Sequence, residues 1–292
     1  MPQALRPPPR QVTRLPHQLL KWIGNKQRFA HEIVGWLPER YGTYREPFVG
    51  SAAVLATLAP SAAVASDVLR PLIELYQLVI DDPESLIAGY TARRAAVMRG
   101  DKVSEYKLIR EAYNASPNAH DLLFLSRSCY GGVIRFSRKG DMNTPCGAHR
   151  PVTAESFAAR VALWRPRLRN TVFVHQDFER SLDEAVAGDL VYCDPPYQDS
   201  ESTLYGAQGF SLARLMAAIA RCKGRGVHVA LSIDGTKRSG RRAVTIDSPD
   251  GLFETAVMVN CGRSMLRRFQ MEGQTLEAEV VADRLLLTWP VD

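Results

Sequence analysis

Apolar positions along the chain fall into short runs, most of them closed by an acid, a glycine or a proline. Residues 44–49 read as a strand, and GSAAVLATLAP (50–60) leaves it through a glycine-serine turn into a small-residue helix stopped by Pro60. Residues 62–66 form a second run ending at Asp67, and helical periodicity follows to about Ile80. The alternation resumes after position 165, with strands over 172–175, 189–193 and 227–232 and helices over 179–186 and 212–221. Repeated strand-helix succession predicts parallel crossovers and an α/β sheet. Two last runs, 255–260 and 284–289, have no helical pattern between them and predict an antiparallel hairpin at the sheet edge.

Between about 83 and 165 the pattern changes. Helical segments surround CYGGVIRFSRKGDMNTPCGAHR, a polar, glycine- and arginine-rich stretch without a sustained period. Such an interval inside a compact domain marks a functional segment, here an inserted recognition module. The proline- and arginine-rich start predicts a flexible basic tail over 1–18, so the domains read as 19–82 with 166–292, interrupted by 83–165.

Composition narrows the class. Of 292 residues, 46% are hydrophobic and 23% charged, which suits a globular protein. No apolar stretch reaches the roughly 18 residues of a membrane span, and the N-terminus lacks a secretory apolar segment, so a cytoplasmic protein without a membrane partner is expected. Five scattered cysteines without a CxxC pair suggest free thiols, neither a disulfide framework nor a metal site. The net charge of +6 permits a polyanionic partner without requiring one.

In an open parallel sheet, ligands bind outside the carboxyl ends of the strands. The residues there are Glu46 to Ser51 (EPFVGS), Asp67, Asp177 with Phe178, DPPY (Asp194 to Tyr197) and Ser232. EPFVGS has one turn glycine and no GxGxxG, so the usual pyrophosphate cradle is missing. With Asp67 placed to take ribose hydroxyls, an adenosine moiety without a pyrophosphate fits. An acid after a strand also reads as a helix cap. Asp177 could accept from an adenine amino group under Phe178, or could cap a helix ahead of a core phenylalanine.

DPPY is the most specific of these stretches. The amine of a nucleobase is a poor nucleophile, because its lone pair is conjugated with the ring. A carboxylate and a carbonyl that both accept from the NH2 group favour the pyramidal form, whose lone pair can meet a methyl group. Asp194 supplies the carboxylate, Pro195 the carbonyl, Pro196 the stiffness and Tyr197 a face for a base taken out of its stack.

Together these residues resemble the D12 class of DNA adenine-N6 methyltransferases, the Dam-like enzymes. LKWIGNK (20–26) resembles the family's LKWxGxK, EPFVGS its methionine-cradling loop, HQDF (175–178) its adenine-contacting strand end and VYCDPPY its catalytic stretch. Departures are Ala52-Ala53 after Ser51, and Leu69 where the family has an asparagine. The resemblance implies a Rossmann-like S-adenosylmethionine-dependent fold, mostly parallel with a terminal antiparallel hairpin, carrying a mainly helical target-recognition insert. It implies S-adenosylmethionine as cofactor, held by Lys21, Trp22, Lys26, Glu46, Pro47, Phe48, Gly50, Ser51, Asp67, Asp177, Phe178 and Asp194. Catalysis falls to Asp194, Pro195, Pro196 and Tyr197.

The insert is similar to the family's recognition region, with Arg127, Tyr130, Gly131, Val133, Arg135, Arg138, Lys139, Asn143 and Pro145 on DNA. Gly131 and Val133 replace a family asparagine and a frequent leucine. Even without the family, arginines and lysines interleaved with Tyr130, Phe136 and glycines suit phosphate contact and aromatic wedging. Arg135 is the residue expected to read a guanine edge, with Arg138 and Lys139 supplying affinity. Basic clusters at 262–270 and at Lys237, Arg238, Arg241 and Arg242 are weaker candidates for backbone contact. The expected activity is site-specific methylation of a flipped adenine in double-stranded DNA by a monomer or homodimer. N4-cytosine methylation and a non-catalytic DNA-binding regulator on the same fold stay open.

Overall fold

The computed structural model describes residues 8–22, 24–137, 139–196, 210–234, 236–237, 242–243, 248–263 and 280–291. Seven strands form one sheet: β1 (Tyr44–Glu46), β2 (Ala63–Asp67), β3 (Thr171–His175), β4 (Leu190–Cys193), β5 (His228–Asp234), β8 (Thr255–Arg263) and β9 (Val280–Leu287). β6 (Thr236–Lys237) and β7 (Arg242–Ala243) pair separately. The order is β3-β2-β1-β4-β5-β9-β8, with β1 to β5 parallel, β9 antiparallel to β5 and β8 antiparallel to β9. This is an open, mostly parallel Rossmann-like sheet ending in an antiparallel hairpin. The hairpin inserts β9 beside β5, so β8 forms the edge.

Helices α1 (Ala30–Trp36), α2 (Ala53–Leu58) and α3 (Arg70–Asp81) precede the insert, whose helices are α4 (Pro83–Arg99), α5 (Lys102–Ala115), α6 (Ala119–Ser128) and α7 (Ala154–Leu168). α8 (Phe178–Asp183) and α9 (Leu212–Gly224) follow. The insert helices start at side-chain caps: Asp82, Asp101, Asn118 and Thr153 accept from Ser85, Ser104, Asp121 and Ser156 N–H groups.

Alternation along the strands divides the interior in two. Tyr44, Leu190, Tyr192, Ala230, Leu285 and Leu287 pack on the face covered by α1 to α3, while Val191, Cys193, Val229, Leu231 and Leu286 pack against α8 and α9. The first of these cores continues without a break into the insert through Tyr76, Leu86, Tyr90, Phe124, Phe157 and Trp164. The insert therefore shares its apolar interior with the sheet, and α7 carries it past position 165 to Leu168.

The expected flexible tail needs correction. Leu15 is buried, Arg10 N–H and Nη2 donate to the Gly35 and Val34 carbonyls, and Gln27 Nε2 donates to Leu15 O. Trp164 Nε1 donates to His17 O, Arg160 to Gln18 O, and Arg127 Nη1 to the carbonyls of Gln18 and Leu19. Residues 8–18 are thus a docked strap. Lacking a ladder or helix, its Leu15 carbonyl accepts from Gln27 and those of His17 and Gln18 from long side chains of the insert.

Candidate active site

β1 is the point where the strand order reverses, with β2 on one side and β4 on the other. The cleft of an open parallel sheet forms there, past the carboxyl ends. Side chains of Tyr44, Glu46, Tyr192, Asp194 and Ser232 share one face by their period of two. β9 runs the opposite way, so its N-terminal half lies beside these carboxyl ends and adds Asp283 to the set.

Buried polar groups dominate this face. Tyr44 donates its hydroxyl to Glu46 Oε2 at 2.6 Å, and Tyr192 bonds Ser232 Oγ at 2.8 Å. Lys26, presented by a short 3-10 turn (Lys26–Arg28) whose cap Asn25 accepts from Gln27 N–H, is buried with its Nζ 2.9 Å from Asp194 Oδ1 and 3.3 Å from Asp283 Oδ2. Asp194 is less enclosed, its side chain 19% exposed. Pro195, directly after it, is buried, so the turn leaving β4 is set by packing as well as by ring closure.

Burial pushes the Glu46 carboxyl up to about 8, with the Asp194 charge adding to the rise and the Tyr44 hydrogen bond opposing it. Asp67, also buried, is raised to about 6, while accepting from the Leu69 and Gly50 N–H groups at 3.1 and 3.2 Å. That pair of bonds pins the EPFVGS turn to the end of β2. Both carboxyls bind protons more tightly folded than unfolded, so their contribution to stability is fully present below the unfolded values and is lost as pH rises through about 6 and 8. Glu46→Gln keeps an acceptor for Tyr44 and removes the titration. The wild type is therefore expected to lose stability relative to Glu46→Gln between pH 5 and 8, by an amount on the order of a few kcal/mol. Parallel urea-unfolding curves across that range would refute this attribution.

At the other end of the cleft the Phe48 and Phe178 rings stack with centroids 5.1 Å apart, Phe210 closes on both, and the Arg214 guanidinium lies 5.1 Å from the Phe178 centroid. Asp177 caps α8 by accepting from Glu179 N–H and also receives Arg214 Nη2 at 3.1 Å. Phe178 is buried. The cap reading of this pair is realised, and the acid's place beside an aromatic cluster is realised with it. Ala52, in the position after Ser51, adopts a left-handed φ of 54°, which a residue without a Cβ takes more readily.

The structure brings Trp22, Lys26, Glu46, Pro47, Phe48, Gly50, Ser51, Asp67, Asp177, Phe178 and Asp194 to the sheet's carboxyl-end region, on or beside the elements just described. Lys21 packs its stem against Gly132, where an added Cβ would meet Lys21 Cβ at 2.9 Å and where φ is +72°. That contact joins the LKW segment to the recognition stretch. Tyr197 and Arg138 lie outside the described residues, as do Arg238, Arg241 and residues 264–270.

The recognition stretch is an irregular hairpin, with Tyr130 N–H donating to Pro145 O, Asn143 N–H to Arg135 O, and Ser137 N–H to Asp141 O. Ile134, Phe136, Met142 and Thr144 face inward; Arg135, Lys139, Asn143 and Pro145 face out, as do Tyr130 and Gly131, with Val133 half-buried. Asn114 of α5 exchanges two hydrogen bonds with the Met142 backbone, and Tyr106 donates to Thr144 O, so a helix supports the hairpin from behind. Arg135 Nε donates to Asn143 Oδ1 at 2.8 Å, which orients the guanidinium on the exposed face.

Arg127 requires a correction. It was expected on DNA, but its guanidinium is buried among the strap carbonyls, and burial lowers its affinity for its proton to a value of about 10. Asp283 went unnoticed in the sequence. In VVADRLLL it sits two and four positions before Leu285 and Leu287, so alternation alone places an acid on a core-facing position.

Comparisons with known proteins place the chain in a family. The model of the D12 class N6 adenine-specific DNA methyltransferases matches residues 22–239. The chain is 32% identical over 203 residues to the DNA adenine methylase of Serratia marcescens, covering 66% of this chain and 73% of that protein. It is 30% identical over 234 residues to the type II methyltransferase M1.LlaDCHI of Lactococcus lactis subsp. cremoris, covering 73% and 79%. The retron Ec67 DNA adenine methylase of Escherichia coli is 34% identical over 201 residues, covering 66% and 67%. Among solved structures, the rRNA methyltransferase aviRa from Streptomyces viridochromogenes covers 89% of this chain and 83% of its own at 15% identity, with a TM-score of 0.33, too weak a likeness to bear on function. The family match includes β1 to β5, the insert and the Asp194 turn, and with it the chain belongs to the D12 class N6 adenine-specific DNA methyltransferases.

Proposed function

We propose that this chain methylates N6 of an adenine flipped out of double-stranded DNA, with S-adenosylmethionine as donor. The observation that carries the reading is Asp194 on a proline-stiffened turn past β4, beside Glu46 at the end of β1 and held by Lys26. S-adenosylmethionine supplies a methyl group on a sulfonium centre. Glu46, buried at the end of β1, would meet the ammonium of that molecule on this reading. On this reading Asp67, at the end of β2, would accept from ribose hydroxyls, and the Phe48–Phe178 stack would border the adenine. Trp22, Pro47, Gly50 and Ser51 would line the same cleft, with Lys21 linking it to the recognition hairpin.

At the target, Asp194 and the Pro195 carbonyl accept from the adenine NH2 and direct its lone pair toward the methyl group. Tyr197 would support the flipped base. On the hairpin, Tyr130 would wedge against the opened duplex, Arg135 and Asn143 would face base edges, and Lys139 with Arg138 would meet phosphates, with Gly131, Val133 and Pro145 shaping the approach.

Arg135 is exposed, so Arg135→Ala is expected to leave the fold intact while reducing discrimination at one base pair by about 1–3 kcal/mol. Methylation rates on a panel of single-base variants of the target would show this as relaxed preference at one position; a uniform loss across all variants would assign Arg135 to phosphate instead. The reaction itself is tested by methylation sequencing of DNA from a methylation-free bacterial host expressing the chain. N6-methyladenine within one short motif supports the proposal. N4-methylcytosine would move the target base, and unmodified DNA with folded, DNA-binding protein would favour a regulator.

A further inference from the structure

Among the described residues, β9 carries an acid on a face of the first core that the proposed chemistry does not explain. Asp283 shares a face with Leu285 and Leu287, which are fully buried in the first core, and is itself 6% exposed. A leucine or valine there would complete the apolar row. Instead the carboxylate lies 3.3 Å from Lys26 Nζ, which lies 2.9 Å from Asp194 Oδ1. Ion pairs this enclosed contribute little to stability compared with well-packed apolar residues. The acid is better explained by what it does to Lys26.

With Asp194 as its sole carboxylate, the ammonium would sit fully on the group that has to accept from the target amine. A second carboxylate 3.3 Å from the same ammonium divides its charge. We propose that Asp283 is a positioning residue for methyl transfer, holding Lys26 between two carboxylates so that the lysine fixes Asp194 without using up its capacity as an acceptor. The proposal rests on Asp194 as the acceptor of the target amine. The route from Asp283 to Asp194 runs through the Lys26 ammonium. Among the described residues, the other titratable groups that influence this cluster include Glu46 and Tyr44 from β1 and Tyr192 from β4, with Asp194 acting on Glu46 and both Asp194 and Lys26 on Tyr192.

The test compares steady-state kinetics on duplex DNA and the pH dependence of kcat for the wild type, Asp283→Asn, Asp283→Leu and Asp283→Glu, beside Asp194→Ala. Expected for Asp283→Asn is a fall in kcat of about ten- to a hundredfold, with the KM for S-adenosylmethionine and for DNA little changed. Its acid limb should move to lower pH, because removing a negative charge beside Lys26 and Asp194 makes Asp194 easier to keep ionised. Asp283→Glu should recover most of the rate, and Asp283→Leu, which suits the strand, should resemble Asp283→Asn in kcat while remaining folded. Wild-type kcat and pH profile in Asp283→Asn would overturn the proposal. So would a common loss of kcat, KM and melting temperature in both Asn and Leu variants without a shifted limb, which marks a merely structural residue. Activity surviving in Asp194→Ala would instead sink the reading of the site, and this proposal with it.

Discussion

Asp194→Ala is expected to lower kcat by about a thousandfold or more, with folding and cofactor binding retained. The substitution removes the acceptor proposed to orient the target amine, an interaction that matters most as the nitrogen begins to bond to carbon. Loss should therefore fall on kcat and kcat/KM together. Folding should persist because Lys26, the buried cation left behind, keeps Asp283 at 3.3 Å. The same removal relieves Glu46 of a neighbouring negative charge, so its carboxyl should titrate closer to the ordinary range. Single-turnover methylation with radiolabelled S-adenosylmethionine separates chemistry from product release. A single-turnover rate within tenfold of wild type would take Asp194 out of the reaction.

Arg127→Ala is expected to destabilise the fold by about 2–4 kcal/mol, and to depress methylation beyond what the lost stability explains. The guanidinium bonds the Leu19 carbonyl at 2.6 Å and that of Gln18 at 3.3 Å, immediately before the segment bearing Lys21, Trp22 and Lys26. Without it, two strap carbonyls lose a donor, and the lysine that holds Asp194 hangs from a looser chain. Urea unfolding gives the first effect and kcat at fixed folded fraction the second. Wild-type stability combined with weakened DNA binding would return Arg127 to the DNA surface, where its sequence context had placed it.

Arg127 and Asp194 show how far the sequence could be read. DPPY, EPFVGS and the strand-helix alternation are short-range features: periodicity, turn chemistry and proline restriction act within a few residues, and β1 to β5 lie where they indicate. The alternating exposure of Arg135 and Asn143 against Phe136 and Met142 was not legible, since that stretch has no sustained period in the sequence. Arg127 runs against expectation because an arginine beside aromatic and glycine residues looks the same whether it faces phosphate or the two carbonyls of Gln18 and Leu19, more than a hundred positions away. The docking of residues 8–18 was missed for the same reason, since its partners come from α6, α7 and the end of α1. Asp283 was legible as an acid on a core-facing position, but its meaning needed the pairing of β9 with β5, which sets it near Lys26.

The continuous interior beneath the insert bears on how such a chain can change its target. Leu72, Tyr76 and Val79 of α3 are buried in the same apolar body as Tyr90, Phe124 and Trp164. Transplanting residues 83–168 from a relative would therefore pair two mismatched halves of one core, and cavities or overpacking at that seam would cost more than the new contacts return. The hairpin bounded by Tyr130 and Pro145 carries its outward residues on a backbone held from behind by Asn114 and Tyr106. With the hairpin reading the target as proposed, preference is open to change by single substitutions on that small exposed rim, and largely closed to exchange of the whole insert.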